Sequence, residues 1–152
     1  MRFPVFIELQ GKKVLVAGGG KIAARRIKAL AEFGALVTAA APQICDEVRS
    51  LWEAGRIRWE NRPVKREDVE DAFLVIAATD SREANHQVVL WCREAGVPVN
   101  AADKKEECDF YFPGIVARDN VVIGVTAGGT DHRKAREVRE KIERLLEEEE
   151  HE

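Results

Sequence analysis

Val14-Leu15-Val16-Ala17-Gly18-Gly19-Gly20-Lys21-Ile22-Ala23 joins a short apolar run to a glycine turn and then to a helical pattern. The apolar run reads as a strand buried on both faces. Beyond the turn, Ala23, Ile27, Leu30, Ala31 and Gly34 share one helical face, and Lys21, Arg25 and Lys28 lie off it. Gly34 stands where a helix stop is expected. Gly18-x-Gly20-x-x-Ala23 also matches the G-x-G-x-x-G/A dinucleotide fingerprint. Gly18 permits the tight turn, Gly20 lets the backbone approach a pyrophosphate, and Ala23 lets helix and strand pack closely. Amides at the helix start then face the phosphates, so Gly18, Gly19, Gly20, Lys21 and Ile22 are the expected contacts there. The alternative is a glycine turn that merely packs tightly. Strand, turn and helix stand in the required order, which favours the binding reading.

The same alternation continues outward. Residues 36–41 form a second apolar run closed by Pro42, and 42–54 are helical in pattern with Ile44, Val48 and Leu51 in phase and Gly55 as the stop. Residues 56–60 alternate as a half-exposed edge strand. Residues 73–78 read as a central strand. Thr79-Asp80-Ser81 supplies cap chemistry for a helix to Ala95, stopped by Gly96, and 97–101 make another strand. This order predicts an α/β fold, a Rossmann-type doubly wound parallel sheet with helices on both faces. The rhythm changes after Asp109. Residues 115–118 and 121–126 flank Asp119-Asn120 as a β-hairpin. Ala127-Gly128-Gly129-Thr130 then opens a helix with an apolar stripe at Ala135, Val138, Ile142, Leu145 and Leu146. The expected organisation is a nucleotide-binding domain over 1–112 and a hairpin-plus-helix segment over 113–152, whose acidic tail (147–152) is expected to fray.

Composition narrows the function. The chain has 152 residues, 45% hydrophobic and 34% charged, with a net charge of -3. That argues against a dedicated nucleic-acid binder, which is usually basic. No apolar run approaches the ~20 residues of a membrane helix, and the N-terminus does not read as a secretory signal. Cys45, Cys92 and Cys108 are odd in number and lack metal-ligand spacing. No disulfide frame or metal site is expected, and reduced thiols in a cytoplasm are the default.

Ligands of open α/β sheets bind at the carboxyl ends of the strands. Thr79 and Asp80, Asn100 and Asp103, and Thr126 with Gly128 and Gly129 fall at such ends. The alternatives are helix capping for the first pair and a strand-end turn for the second. The second strand ends Ala39-Ala40-Ala41-Pro42-Gln43 with no acid to hold a ribose. The adenosine then falls to backbone groups at Pro42 and its neighbours or to Gln43, and the choice between NAD and NADP stays open. His132 reads as an exposed first-turn residue. His86 reads as structural, with no acidic or cysteine partner in ligand spacing. Cys108 lacks a histidine partner.

Several separated motifs stand in an order that resembles a known family. These are Phe3-Pro4-Val5-Phe6-Ile7, Val16-Ala17-Gly18-Gly19-Gly20-Lys21-Ile22-Ala23, Ala77-Ala78-Thr79-Asp80, Val99-Asn100-Ala101-Ala102-Asp103, Phe112-Pro113 and Gly128-Gly129-Thr130. The chain resembles the precorrin-2 dehydrogenase / sirohydrochlorin ferrochelatase family, the N-terminal part of siroheme synthase. The resemblance implies a Rossmann domain with NAD, a segment that makes a homodimer, and a third, helical region expected to be absent here. It implies oxidation of precorrin-2 to sirohydrochlorin, in some members with insertion of ferrous iron. The aspartate implicated in both matches Asp103. Thr126, Gly128, Gly129 and Thr130 become candidates for substrate contact. Arg25, Arg26, Lys104, Lys105, Arg133 and Lys134 become candidates to meet substrate carboxylates. Asp131-His132 and Ala127 depart from the family pattern. Two other classes compete: a regulatory nucleotide-sensing module, and a relative that binds NAD or tetrapyrrole without turnover. The missing acid after the second strand, together with Asn100-x-x-Asp103, favours the enzyme over the sensor.

Overall fold

The computed structural model describes residues 1–148. Its contacts divide the chain into two units, one of Ile7–Phe110 and one joining Met1–Phe6 to the residues from Tyr111 onward. In the larger unit strands and helices alternate: β1 (Lys13–Ala17), α1 (Lys21–Glu32), β2 (Leu36–Ala40), α2 (Asp46–Glu53), β3 (Arg58–Glu60), α3 (Arg66–Glu70), β4 (Leu74–Ala77), α4 (Arg82–Ala95) and β5 (Val99–Ala101). The five strands are parallel in the order β3-β2-β1-β4-β5. The chain steps outward from β1 to β3, then crosses to β4 on the other side of β1. Right-handed crossovers therefore put α1 and α2 on one face and α3 and α4 on the other, and α1 packs on α2 as α3 packs on α4. The reversal falls between β1 and β4, the topological switch point of a doubly wound sheet.

Burial follows from this topology. β4 is buried along its whole length, as is β1 after Lys13. Both lie inside the sheet with a helix layer on either side, so their side chains are apolar without alternation. On α1 the buried residues are Ala23, Ala24, Ile27 and Leu30; on α4 they are Asn85, Val88, Val89 and Cys92. Burial pushes the Cys92 thiol up to about 12, so it is an inert core residue. None of the three cysteines forms a disulfide. No helix among the described residues is long and apolar enough to cross a membrane.

Three local features differ from the sequence reading. Helix α2 begins at Asp46 rather than near 42, because the Cys45 amide turns back to the Gly19 carbonyl at 2.8 Å and holds 42–45 as a loop. Helix α3 has five residues, too short for a periodic signal. A 3₁₀ turn, Lys105–Glu107, follows β5.

The second unit contains an antiparallel hairpin, β6 (Gly114–Arg118) and β7 (Val121–Val125), and the helix α5 (His132–Glu148), which packs on it. Asp119 takes a positive φ of 51° in the turn, a conformation that aspartate tolerates better than most side chains. Glu147 and Glu148 belong to α5; the rest of the acidic tail lies outside the described residues. Ion pairs four residues apart, Arg133–Glu137, Arg136–Glu140 and Arg139–Glu143, run along α5.

The short α3 is held by charge. Arg62 donates through both terminal nitrogens to Asp68 at 2.8 and 2.7 Å, and the Lys65 amide donates to Asp68 at 2.7 Å. The hydrogen bonds from Arg62 hold the Asp68 carboxyl below the usual carboxylate range, against the opposing effect of burial. A depressed carboxylate stabilises the fold above its unfolded pKa and loses that contribution as pH falls through the folded value. Asp68→Asn is expected to lower unfolding stability by roughly 1–2 kcal/mol at pH 7. The difference from wild type should shrink in chemical denaturation as the pH is taken down through the acid range.

Candidate nucleotide site

At the carboxyl ends of β1, β2 and β4 lies a cleft of about 900 Å³. Gly18, Gly19, Gly20, Lys21, Ile22, Pro42, Gln43, Thr79 and Asp80 all line it, so the structure gathers nine of the ten expected cofactor residues in one place. The three glycines are there for different reasons. Gly18 has φ of 125°, and a Cβ on it would lie 2.2 Å from the Ala78 carbonyl oxygen. Gly19 would put a Cβ 2.3 Å from the Gln43 carbonyl oxygen. Gly20 has an ordinary extended backbone, and a Cβ there would meet nothing within 4 Å. Two glycines are therefore required by the fold itself, and the third leaves an open space above the start of α1.

No side chain caps α1, and its first turn carries no acid. The bare amides and the positive end of the helix dipole therefore stand at the cleft. This is the donor set that suits a diphosphate. Lys21 is the one cationic residue among those lining the cleft.

The wall formed by residues 79–81 is built by a residue that the sequence analysis did not single out. Asn85 is only 1% exposed. Its Oδ1 accepts from the Thr79 amide at 2.9 Å and the Thr79 hydroxyl at 2.7 Å, and its Nδ2 donates to the Thr79 carbonyl at 3.1 Å. Ser81 caps α4 by accepting from the Ala84 amide at 3.2 Å. The Thr79 hydroxyl is thus taken up inside the loop. The signal for Asn85 was its phase: it shares the buried face of α4 with Val88, Val89 and Cys92.

Asn100 and Asp103 sit outside the cleft lining, on β5 and the turn after it, next to β4. Asn100 is buried, and its Nδ2 donates to the Phe110 carbonyl at 2.9 Å. Its Oδ1 has no hydrogen-bond partner among the described residues, an unmet acceptor at the carboxyl end of the sheet. The Asp103 carboxylate accepts from Arg82 at 2.9 Å. His86, which has no acidic partner in ligand spacing, meets the distant Glu107 through Nδ1 at 2.9 Å. The two are 21 positions apart, beyond the reach of local spacing arguments. Cys108 is buried, with its sulfur donating to the Ala101 carbonyl at 3.1 Å.

Thr126, Gly128, Gly129 and Thr130 belong to the second unit. There the Gly128 amide donates to the Thr126 hydroxyl at 3.3 Å, and the Thr130 hydroxyl donates to the Ala127 carbonyl at 2.9 Å. The first turn of α5 is already served by Asp131, which accepts from the Lys134 amide at 2.8 Å. Among the candidate cations, Arg26 is half-buried, and burial followed by repulsion from Arg25 lowers its pKa. Arg133 is engaged by Glu137.

A family model described as "Putative NAD(P)-binding" matches residues 5–114. Siroheme synthase of Photorhabdus laumondii is 40% identical over 143 residues, 94% of this chain and 30% of that protein. The chain thus spans less than a third of such longer relatives. Precorrin-2 dehydrogenase of Bacillus subtilis is 35% identical over 143 residues, 94% of this chain and 88% of that one. A solved structure of SirC, a precorrin-2 dehydrogenase, superposes with a TM-score of 0.78 at 26% identity, covering 93% of this chain and 69% of that one. The doubly wound sheet with its uncapped α1, aligned along nearly its whole length with a dehydrogenase of similar size, shows that this chain belongs to the precorrin-2 dehydrogenase and siroheme synthase family.

Proposed function

We propose that this chain oxidises precorrin-2 to sirohydrochlorin, with NAD as the hydride acceptor and Asp103 as the base. The observation that carries the reading is the open start of α1 at Gly20, in a chain that aligns with a precorrin-2 dehydrogenase. NAD bound in the cleft supplies the two-electron acceptor, and the protein supplies position and proton transfer. Gly18 to Ile22 bind the diphosphate through backbone amides. Pro42 and Gln43 border the adenosine end. The cleft lining has no cation from Ala40 to Cys45 to pair with a 2′-phosphate, which favours NAD over NADP. The unmet Oδ1 of Asn100 suits a donor such as the carboxamide of the cofactor. Oxidation removes a hydride and a proton from the substrate, and the Asp103 carboxylate receives the proton.

The second unit carries its own consequence. Phe3, Val5 and Phe6 are 70–87% exposed, and Val121, Val122, Val138 and Leu145 are also exposed. An apolar surface of this kind on a small unit calls for cover, and we assign it to a second copy in a two-fold dimer. Light scattering at micromolar concentration should give twice the chain mass; a monomer would contradict this.

The full chain, mixed anaerobically with precorrin-2 and NAD, should produce NADH absorbance in step with sirohydrochlorin. Absence of both would refute the activity. Asp103→Asn keeps size and removes the base, so turnover should fall by ~10²–10⁴ with NAD affinity little changed. Gly20→Val should fold with near wild-type stability, since its side chain enters open space, yet bind NAD at least ~10-fold more weakly. Unaltered affinity in that variant would move the diphosphate away from α1.

A further inference from the structure

The Asp103 carboxylate has a single hydrogen-bond partner among the described residues, the guanidinium of Arg82. Its turn is otherwise fixed by bonds that do not touch this carboxylate. The Ala102 amide donates to Ala77 at 2.9 Å, and the Asp109 amide to Val99 at 2.9 Å. The Val99 amide donates to the Asp109 side chain at 2.9 Å. These bonds locate the Cα of Asp103 but leave its side chain to Arg82.

Arg82 occupies an unusual position for a cation. It is the first residue of α4, directly after the capping Ser81, where the helix dipole repels positive charge. Two carboxylates offset that repulsion. Nη1 donates to Asp103 Oδ1 at 2.9 Å, and Nη2 donates to Glu107 Oε2. The other oxygen of Glu107 meets His86, one turn further along α4, at 2.9 Å. Burial raises the Glu107 carboxyl, but the hydrogen bonds from His86 and Arg82 outweigh it and hold the group below the usual carboxylate range. Glu107 therefore stays ionised and keeps one arm of the guanidinium occupied. The other arm is left to face Asp103. Lys104, Lys105 and Glu106 are the remaining charged residues on the turn of Asp103 and Glu107.

We infer that Arg82 is a positioning residue that aims the Asp103 carboxylate, with Glu107 and His86 as its support. The inference rests on the reading of Asp103 as the base. Ser81, the neighbour of Arg82, lines the cleft, and Asp103 does not. The Arg82–Asp103 bond is thus the one that ties the base itself to the cleft rim, beside the Arg82–Glu107 bond to the same turn. Arg82 is 41% exposed and Asp103 35%. Ion pairs this open contribute little to folding, so the expected effect is on orientation rather than on stability.

A double-mutant cycle on the full chain tests this, read as the rate of NADH formation. Arg82→Gln should lower kcat about tenfold while leaving the KM for NAD unchanged, since misplacement of a reacting group costs rate rather than affinity. Arg82→Lys, which can still reach one carboxylate, should recover part of the loss. In an Asp103→Asn background, Arg82→Gln should cost no more than about twofold, because the residue it aims is already gone. An equal loss in both backgrounds, or an Arg82→Gln enzyme at wild-type kcat, overturns the inference while the reading of Asp103 stands. An Asp103→Asn enzyme at wild-type rate overturns that reading, and the inference with it.

Discussion

The structure depends on one close approach. At the switch point the chain leaves β1 through Gly18, and the carbonyl of Ala78 at the end of β4 stands where any side chain on Gly18 would go. The parallel ladder fixes this closeness. Val14 to Ala17 pair in register with Leu74 to Ala77, and the Ala78 amide reaches the Ala17 carbonyl at 2.8 Å. On the other side the Gly18 amide bonds the Ala40 carbonyl at 3.0 Å. The first residue beyond β1 is therefore gripped by both neighbouring strands. The turn that follows has one course, which brings the first amides of α1 to the mouth of the sheet with nothing on them. Glycine is the residue that tolerates both the positive φ and the contact.

From that constraint the site divides into a part set by backbone and a part set by side chains. The cleft belongs to the first kind: Gly18 to Ile22, the loop at 42–45 held by Gly19, and the 79–81 wall clamped by Asn85. Under the proposed function a ligand there would be recognised by amides and shape, with no need of an acid after β2. The strand-end turn with Asp103 belongs to the second kind. Its carboxylate meets a side chain of α4, the helix before β5, and such contacts reorganise more easily than a ladder. On the proposed reading, binding and chemistry are carried by neighbouring strands with different degrees of rigidity.

What the sequence made legible follows the same division. The apolar runs at 14–17 and 73–78, the glycine turn and helix start at 18–23, and the Asp119-Asn120 turn are local signals, and each appears in the structure as the element it predicts. Interior strands and tight turns have strong local chemistry, so their order gave the doubly wound topology and with it the edge at which ligands bind. The late start of α2 was not legible, because the Cys45 amide bonds to Gly19, a residue 26 positions away, and long-range contacts override local pattern. Helix α3 is too short for periodicity and stands on the Arg62–Asp68 pair. Asn85 and Glu107 are not legible in the sequence for a related reason. Their partners, Thr79 for one and Arg82 with His86 for the other, are found only once the strands have brought helix and turn together. A dehydrogenase is legible only in several spaced motifs taken together, since a glycine fingerprint alone specifies a ligand class and not a reaction.

Under the proposed function the diphosphate of NAD sits on the bare start of α1. An amide-resolved NMR titration of the full chain with NAD addresses it most directly. The largest shifts should fall at the amides of Gly18 to Ile22 and of Gln43 to Cys45, with inorganic pyrophosphate reproducing the first group and not the second. Shifts concentrated instead at Lys13 to Leu15 and Arg56 to Arg58, which line a separate groove of about 460 Å³, would contradict it.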